Sequence, residues 1–226
     1  MERSTLKVLC RKSLSVIGLQ EGAVDWQLIL ASGSPRRREL LREAGLSFQI
    51  HSPEVEEFDG SDFKPRELCV ANARLKCEKV ASAFPEALVI GADTVVAMGG
   101  QVYGKPKDLA EAADNLRAFR GRVHEVMTGV VLKHGERSVE FVETSYVKFG
   151  VFSDHVIEQY LKRVSVLDKA GGYAIQECGE MLVERHEGSF DNIVGLPVAI
   201  VLDQLKRMGF PLPSVKDSQA SLPDTR

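Results

Sequence analysis

The stretch "LILASGSPRRREL", residues 28–40, sets Arg36, Arg37 and Arg38 side by side where a helix should begin. The first helical turn carries unpaired backbone N–H groups and the positive end of the helix dipole, so basic side chains are disfavoured there unless an anion is present. With an anion, the N–H groups, the dipole and the guanidinium forks address the same charge, and phosphate is the natural candidate. The alternative is a solvated basic face, partly offset by Glu39 and Glu43. Arg36 stands nearest the strand end, where open α/β sheets bind ligands. The segment has neither the Walker lysine pattern nor a GxGxxG turn, which removes support for P-loop kinases and dinucleotide dehydrogenases.

In "VIGADTVV", Asp93 interrupts an apolar, strand-like run. A carboxylate buried there needs a cation or hydrogen-bond donors, so Asp93 is either a metal or proton-transfer residue or a structural, hydrogen-bonded acid. Lys76 falls on the helical stripe Cys69, Ala73, Lys76, Val80, which directs its amine among small apolar side chains. It either meets a buried partner or reaches past the core to water. Lys105 in "YGKP" would reach over the same strand edge. "EVEEF" gathers Glu54, Glu56 and Glu57 in one loop, an oxygen-rich set that suits Mg2+ or Mn2+ shared with phosphate, or else an ordinary solvated loop. His124 in "GRVHEVMT" reads as structural, and no Ser/His/acid set for nucleophilic catalysis stands out.

These residues need elements to hold them. "QLILA" is of strand length, and Ser34-Pro35 then reads as an N-cap with proline at the first helical position. Lys64 to Ala83 reads as a long helix, and "ALVIGADTVVAMGGQVYGKP" as two strand segments, a Gly99-Gly100 turn and a return strand. Asp108 and Glu111 form a capping box for the next helix. Two long strands follow, joined at His134-Gly135, then a helix from Ser153. "EMLVERHEG" and "SFDNIVG" read as a hairpin, and Pro197 opens a final helix. The alternation predicts an α/β fold with a mixed twisted sheet flanked by helices, in two lobes around a central cleft.

The 226 residues are 44% hydrophobic, enough for a sizeable core, and 29 basic against 32 acidic residues give a net charge of −3. That balance argues against nucleic acid and for a small-molecule partner. No apolar run approaches the roughly 20 residues of a membrane span. Cys10, Cys69, Cys77 and Cys178 show no CxxC pairing, which suggests reduced thiols, a cytoplasmic location and no zinc site. Residues 1–26 read as an N-terminal extension with a faint transit-peptide composition, 27–210 as the domain, and 211–226, with its three prolines, as a flexible tail.

Taken in order, "LASGSPRRREL", "EVEE", "RLK", "GADTVV", "GKP", "GRVHEVMTGV", "DKAGGYAIQ" and "NIVGLP" resemble the Maf family of septum-formation-inhibitor-like nucleoside triphosphate pyrophosphatases, from about Leu28 to Met208. The resemblance implies an inosine-triphosphate-pyrophosphatase-like architecture and hydrolysis of a nucleoside triphosphate to monophosphate and pyrophosphate. The loop from Tyr173 to Gln176 is similar to that of the subgroup acting on dTTP, UTP and modified pyrimidine nucleotides, although Ala174 stands where the subgroup often has glycine. By the same resemblance Asp93 is the proton acceptor, and Arg36, Thr94 and Gln176 are specificity positions. Ser32, Lys76 and Lys105 are further cleft residues, with Ser34 and Arg37 beside them as substrate contacts. Glu56 is the expected acid of a divalent metal site shared with Glu54, Glu57 and Asp93, and a homodimer is the expected assembly. The competing expectations are a nucleotide-binding regulator of cell division without turnover and a phosphatase releasing orthophosphate.

Overall fold

The computed structural model describes residues 26–60 and 62–213. Most of the expected N-terminal extension, Cys10, and the tail beyond Pro213 lie outside the described residues. The chain runs β1 (Leu28–Leu30), α1 (Pro35–Glu43), β2 (Gln49–Ile50), α2 (Pro65–Ala83), β3 (Leu88–Met98), β4 (Gln101–Tyr103) and α3 (Leu109–Phe119). It continues with β5 (Val123–His134), β6 (Arg137–Phe149), α4 (Asp154–Arg163), β7 (Val183–Glu187), α5 (Phe190–Val194) and α6 (Val198–Arg207), with 3-10 turns at Ala170–Gly172 and Gly179–Met181. The strands form one mixed sheet in the order β2-β1-β3-β5-β6-β7, with β4 also on β3. The pairs of β1 with β2 and with β3 are parallel and the others antiparallel.

β3 organises the molecule as one unbroken strand rather than two segments. It is apolar on both faces, as a central strand covered on both sides must be. Leu88, Ile90 and Ala92 join a core with α1 and α6, while Val89 packs on the other face with α2. Farther along, Val95 and Val96 enter two further clusters, the larger one shared with α3 and α4. Asp93 and Thr94 lie between these cores, where the two lobes meet. β1 pairs with β3 at Leu88–Ile90 and β4 at Val96–Met98. Since β5 occupies the opposite edge along this whole length, the edge of β3 around Asp93 and Thr94 is uncovered.

Two glycines bring α2 close to the sheet. A Cβ on Gly91 would sit 2.4 Å from the Ala73 carbonyl oxygen, and one on Gly129 would sit 2.5 Å from the Cys69 backbone. Only hydrogen fits in either place. Cys69 and Cys77 pack in this contact as free thiols, and burial pushes both up to about 12.

Three local expectations change. "SFDNIVG" is not a strand: β7 pairs with β6, and Phe190–Val194 is the helix α5. The Ser189 hydroxyl caps that helix by accepting from Asn192 N at 3.2 Å, and the fully buried Asn192 amide donates to Val126 O and Ser145 Oγ, both at 3.0 Å. These long-range bonds override the strand propensity of Ile193 and Val194. Ser34 occupies the N-cap of α1 but makes no side-chain cap, its own N–H instead reaching Ser32 Oγ at 3.3 Å. At α3, Asp108 caps Glu111 N as expected, whereas Glu111 accepts from Lys107 N rather than closing the box on Asp108. Among the described residues no helix is long and apolar enough to cross a membrane.

Candidate active site

The uncovered edge of β3 opens into a cleft of about 360 Å3. Five cations, Arg36, Arg37, Lys76, Lys105 and Lys169, line it against three carboxylates, Glu57, Asp93 and Asp168.

The three consecutive arginines take three different positions. Arg37 is buried, donating from Nε to Gly195 O at 2.8 Å, from Nη1 to Ser32 Oγ at 3.0 Å and from Nη2 to Thr94 Oγ1 at 2.9 Å. It braces the first loop against β3 and the turn after α5. Burial lowers its pKa from the ordinary arginine value, with Asp93 opposing the change. Arg36 is half-buried at the cleft, its Nε donating to Val194 O at 3.3 Å and its Nη1 lying 3.4 Å from Asp168. Arg38 is not among the cleft residues and lines a separate surface depression with Glu39 and Arg42.

Lys76 points inward and has two partners, Asp93 Oδ1 at 2.7 Å and Glu57 Oε2 at 2.9 Å. Asn72, one helical turn earlier, accepts from Phe58 N at 2.9 Å and donates to Phe58 O at 3.2 Å. Those two hydrogen bonds hold the backbone next to Glu57 against α2, on the side of Lys76. Burial alone would raise the Glu57 carboxyl, but the charge and hydrogen bond of Lys76, with Lys105 and Arg37, hold it below its usual range. Among the acids of this loop Glu57 lines the cleft, whereas Glu54 and Glu56 do not. The acid that the structure brings to Asp93 is therefore Glu57 rather than Glu56.

Ser32, Ser34, Thr94, Lys105 and Gln176 all line the cleft. Thr94 Oγ1 lies 3.0 Å from Thr128 Oγ1, so the residue is held from two sides. Lys105 follows β4, and the adjacent Gly104 carbonyl accepts from Gly171 N at 2.9 Å. Gln176 is exposed in the turn after Tyr173-Ala174. Val96, Val126, Ile175 and Ile193 give the cleft an apolar portion. His124 is buried and neutral, held down at about 3 by burial, and its Nε2 lies 2.7 Å from Tyr173 Oη. It supports the Tyr173 side chain, in line with a structural role.

Sequence reasoning missed Lys169 and Asp168, although "DKAGG" carries both. Lys169 is buried, with Nζ 2.5 Å from Ser165 O and 2.9 Å from Asp168 Oδ1. An adjacent acid–base pair leading into two glycines was the available signal.

Residues 27–208 match the family model described as Maf-like protein. The chain belongs to the Maf-like family. Within it, the chain is 41% identical over 181 residues to a dTTP/UTP pyrophosphatase of Bacillus cytotoxicus, covering 80% of this chain and 95% of that one. It is 42% identical over 183 residues to a dTTP/UTP pyrophosphatase of Akkermansia muciniphila, covering 81% and 97%. A dTTP/UTP pyrophosphatase of Pyrococcus furiosus is 40% identical over 176 residues, covering 78% and 92%. Among solved structures, the Staphylococcus aureus Ham1 protein aligns at 17% identity and a TM-score of 0.46, over 82% of this chain and all of that one.

Proposed function

We propose that this Maf-like protein hydrolyses nucleoside triphosphates, with dTTP, UTP and modified pyrimidine nucleotides as substrates, to the monophosphate and pyrophosphate. The single observation that carries this reading is the cleft in which five cations outnumber three carboxylates beside an apolar wall. A polyanionic tail with a planar base matches that distribution, and the activity named for the relatives agrees with it.

Arg36, Lys76 and Lys105 meet the phosphate oxygens, joined by the backbone N–H groups that open α1, where no acidic side chain competes. Arg37 keeps Ser32 and Thr94 in place. Asp93, oriented by Lys76, takes a proton from the water that attacks the α-phosphorus, and pyrophosphate leaves. Gln176 offers one donor and one acceptor to the edge of a thymine or uracil ring.

The donor set fits a divalent cation. Among the described residues no group of three or more His, Cys, Asp or Glu is gathered to cage an ion. Glu57 and Asp93 nevertheless meet around one ammonium, and two carboxylates with phosphate and water completing the shell suit Mg2+ or Mn2+. When bound, such an ion supplies charge neutralisation of the phosphate oxygens. The free thiols of Cys69, Cys77 and Cys178 support a cytoplasmic setting.

The test is incubation with Mg2+ and dTTP or UTP. Monophosphate plus pyrophosphate is the expected result. Diphosphate plus orthophosphate would make the protein a phosphatase, and binding without turnover would make it a nucleotide sensor.

A further inference from the structure

Gln176 stands on a stretch with little regular structure of its own, in the turn between the Ala170–Gly172 and Gly179–Met181 segments. Its position is set by one local turn bond, from Glu177 N–H to Ala174 O at 3.3 Å, and by contacts from outside the turn. Two residues earlier, Ala174 is buried, and one side chain engages both of its backbone polar groups. Ala174 N–H donates to Tyr160 Oη at 2.9 Å, and the Tyr160 hydroxyl donates to Ala174 O at 3.2 Å. The N–H belongs to the peptide plane before Ala174 and the carbonyl to the plane after it. One hydroxyl thus fixes both planes.

Tyr160 stands on α4, is 0% exposed, and packs in the second lobe's core. It is not among the cleft residues, whereas Ala174, Ile175 and Gln176 are. The flanking residues have holds of their own: Tyr173 Oη meets His124 Nε2 at 2.7 Å, and Lys169 Nζ lies 3.6 Å from Glu177 Oε1. Cys178 is the one non-glycine residue with positive φ among those described, so Ala174 has an ordinary backbone conformation that needs no glycine. What holds Ala174 here, beside the turn bond from Glu177 N, is the hydroxyl, not a special φ.

We propose that Tyr160 is a positioning residue for base selection: by locking the peptide planes on either side of Ala174 it sets where Gln176 stands, and so governs which base is accepted without touching the chemical step. This rests on the pyrimidine-triphosphate reading above.

The variant Tyr160→Phe keeps the ring and removes the hydroxyl. The expected result is a fall of about three- to tenfold in the preference for dTTP over dCTP, the size of one or two lost hydrogen bonds. It should come through a higher KM for dTTP, with kcat changed by less than about twofold, and the Ala174 amide should exchange its hydrogen faster. An unchanged preference, or a kcat loss equal for both nucleotides, overturns the specificity role. Unchanged exchange at Ala174 overturns the clamp. Should the variant not fold, wild-type exchange decides, because the clamp requires slow exchange at an amide outside every helix and strand, and fast exchange there overturns it. A wild type that turns over neither dTTP nor UTP sinks the functional reading and the specificity role with it, whereas turnover with unchanged preference in Tyr160→Phe sinks this proposal alone.

Discussion

In the cleft, Arg36 and Arg37 stand on α1, Lys76 on α2 and Asp93 on β3, whereas Gln176 stands on a turn held by side chains outside it. Helix and strand geometry places the first group directly. The second depends on Tyr160, His124 and Lys169, each on a different part of the chain. On the proposed reading, charge handling rests on helix and strand geometry and base recognition on a supported turn, the two joined through the Arg36–Asp168 contact, so loosening the turn should change base preference more than turnover.

The largest expected effect separates the two groups outright. Asp93→Asn keeps an oxygen for Lys76 but removes the proposed proton acceptor, and turnover should fall by about 10²–10⁴-fold while triphosphate affinity by calorimetry changes far less. Near-normal turnover would reassign the base. Next, Glu57→Gln should raise the Mn2+ concentration needed for half-maximal turnover by about tenfold or more, while Glu56→Gln leaves it nearly unchanged. Equal effects of the two substitutions would remove the distinction drawn from their placement.

The histidine that supports Tyr173 gives a pH signature. Burial holds the His124 imidazole at about 3, against an ordinary value of 6.5. Between those values the unfolded chain carries the extra proton, so this histidine's neutral burial stabilises fully above about pH 6.5, and the contribution is lost as the pH falls toward 3. The slope approaches about 1.4 kcal/mol per pH unit. Urea melts of wild type and His124→Phe at pH 7, 6 and 5 should converge or cross as the pH drops, and parallel profiles would contradict the buried neutral state. The smallest effect belongs to Gln176→Ala, which should lower the preference for dTTP over dCTP by about three- to tenfold with kcat almost unmoved. A matching loss for both nucleotides would instead make Gln176 a general binding residue.

What could be read from the sequence follows the same division. The mixed sheet, α2 and the inward Lys76 were legible because apolar periodicity is local and Lys76 falls on the buried stripe of its own helix. Asp93 was legible because a carboxylate in an apolar strand is conspicuous. Which glutamate turns to the cleft was not, since Asn72 holds the backbone beside Glu57 across 14 positions of chain, and neighbouring loop residues are equivalent on local grounds. Arg36 and Arg37 were legible as cleft residues from their place after the strand, but their different settings depend on Thr94, Gly195 and Asp168, which are remote in sequence. α5 was misread as a strand because five residues are too few for helical periodicity to show, and Asn192 anchors the segment through contacts with β5 and β6.

The central claim is that water attacks the α-phosphorus of a pyrimidine nucleoside triphosphate held in this cleft. Hydrolysis of dTTP with Mg2+ in ¹⁸O-labelled water, followed by mass spectrometry of both products, tests it most directly. The account predicts the label in thymidine monophosphate and none in pyrophosphate, and label in pyrophosphate, or in orthophosphate released beside the diphosphate, would contradict it.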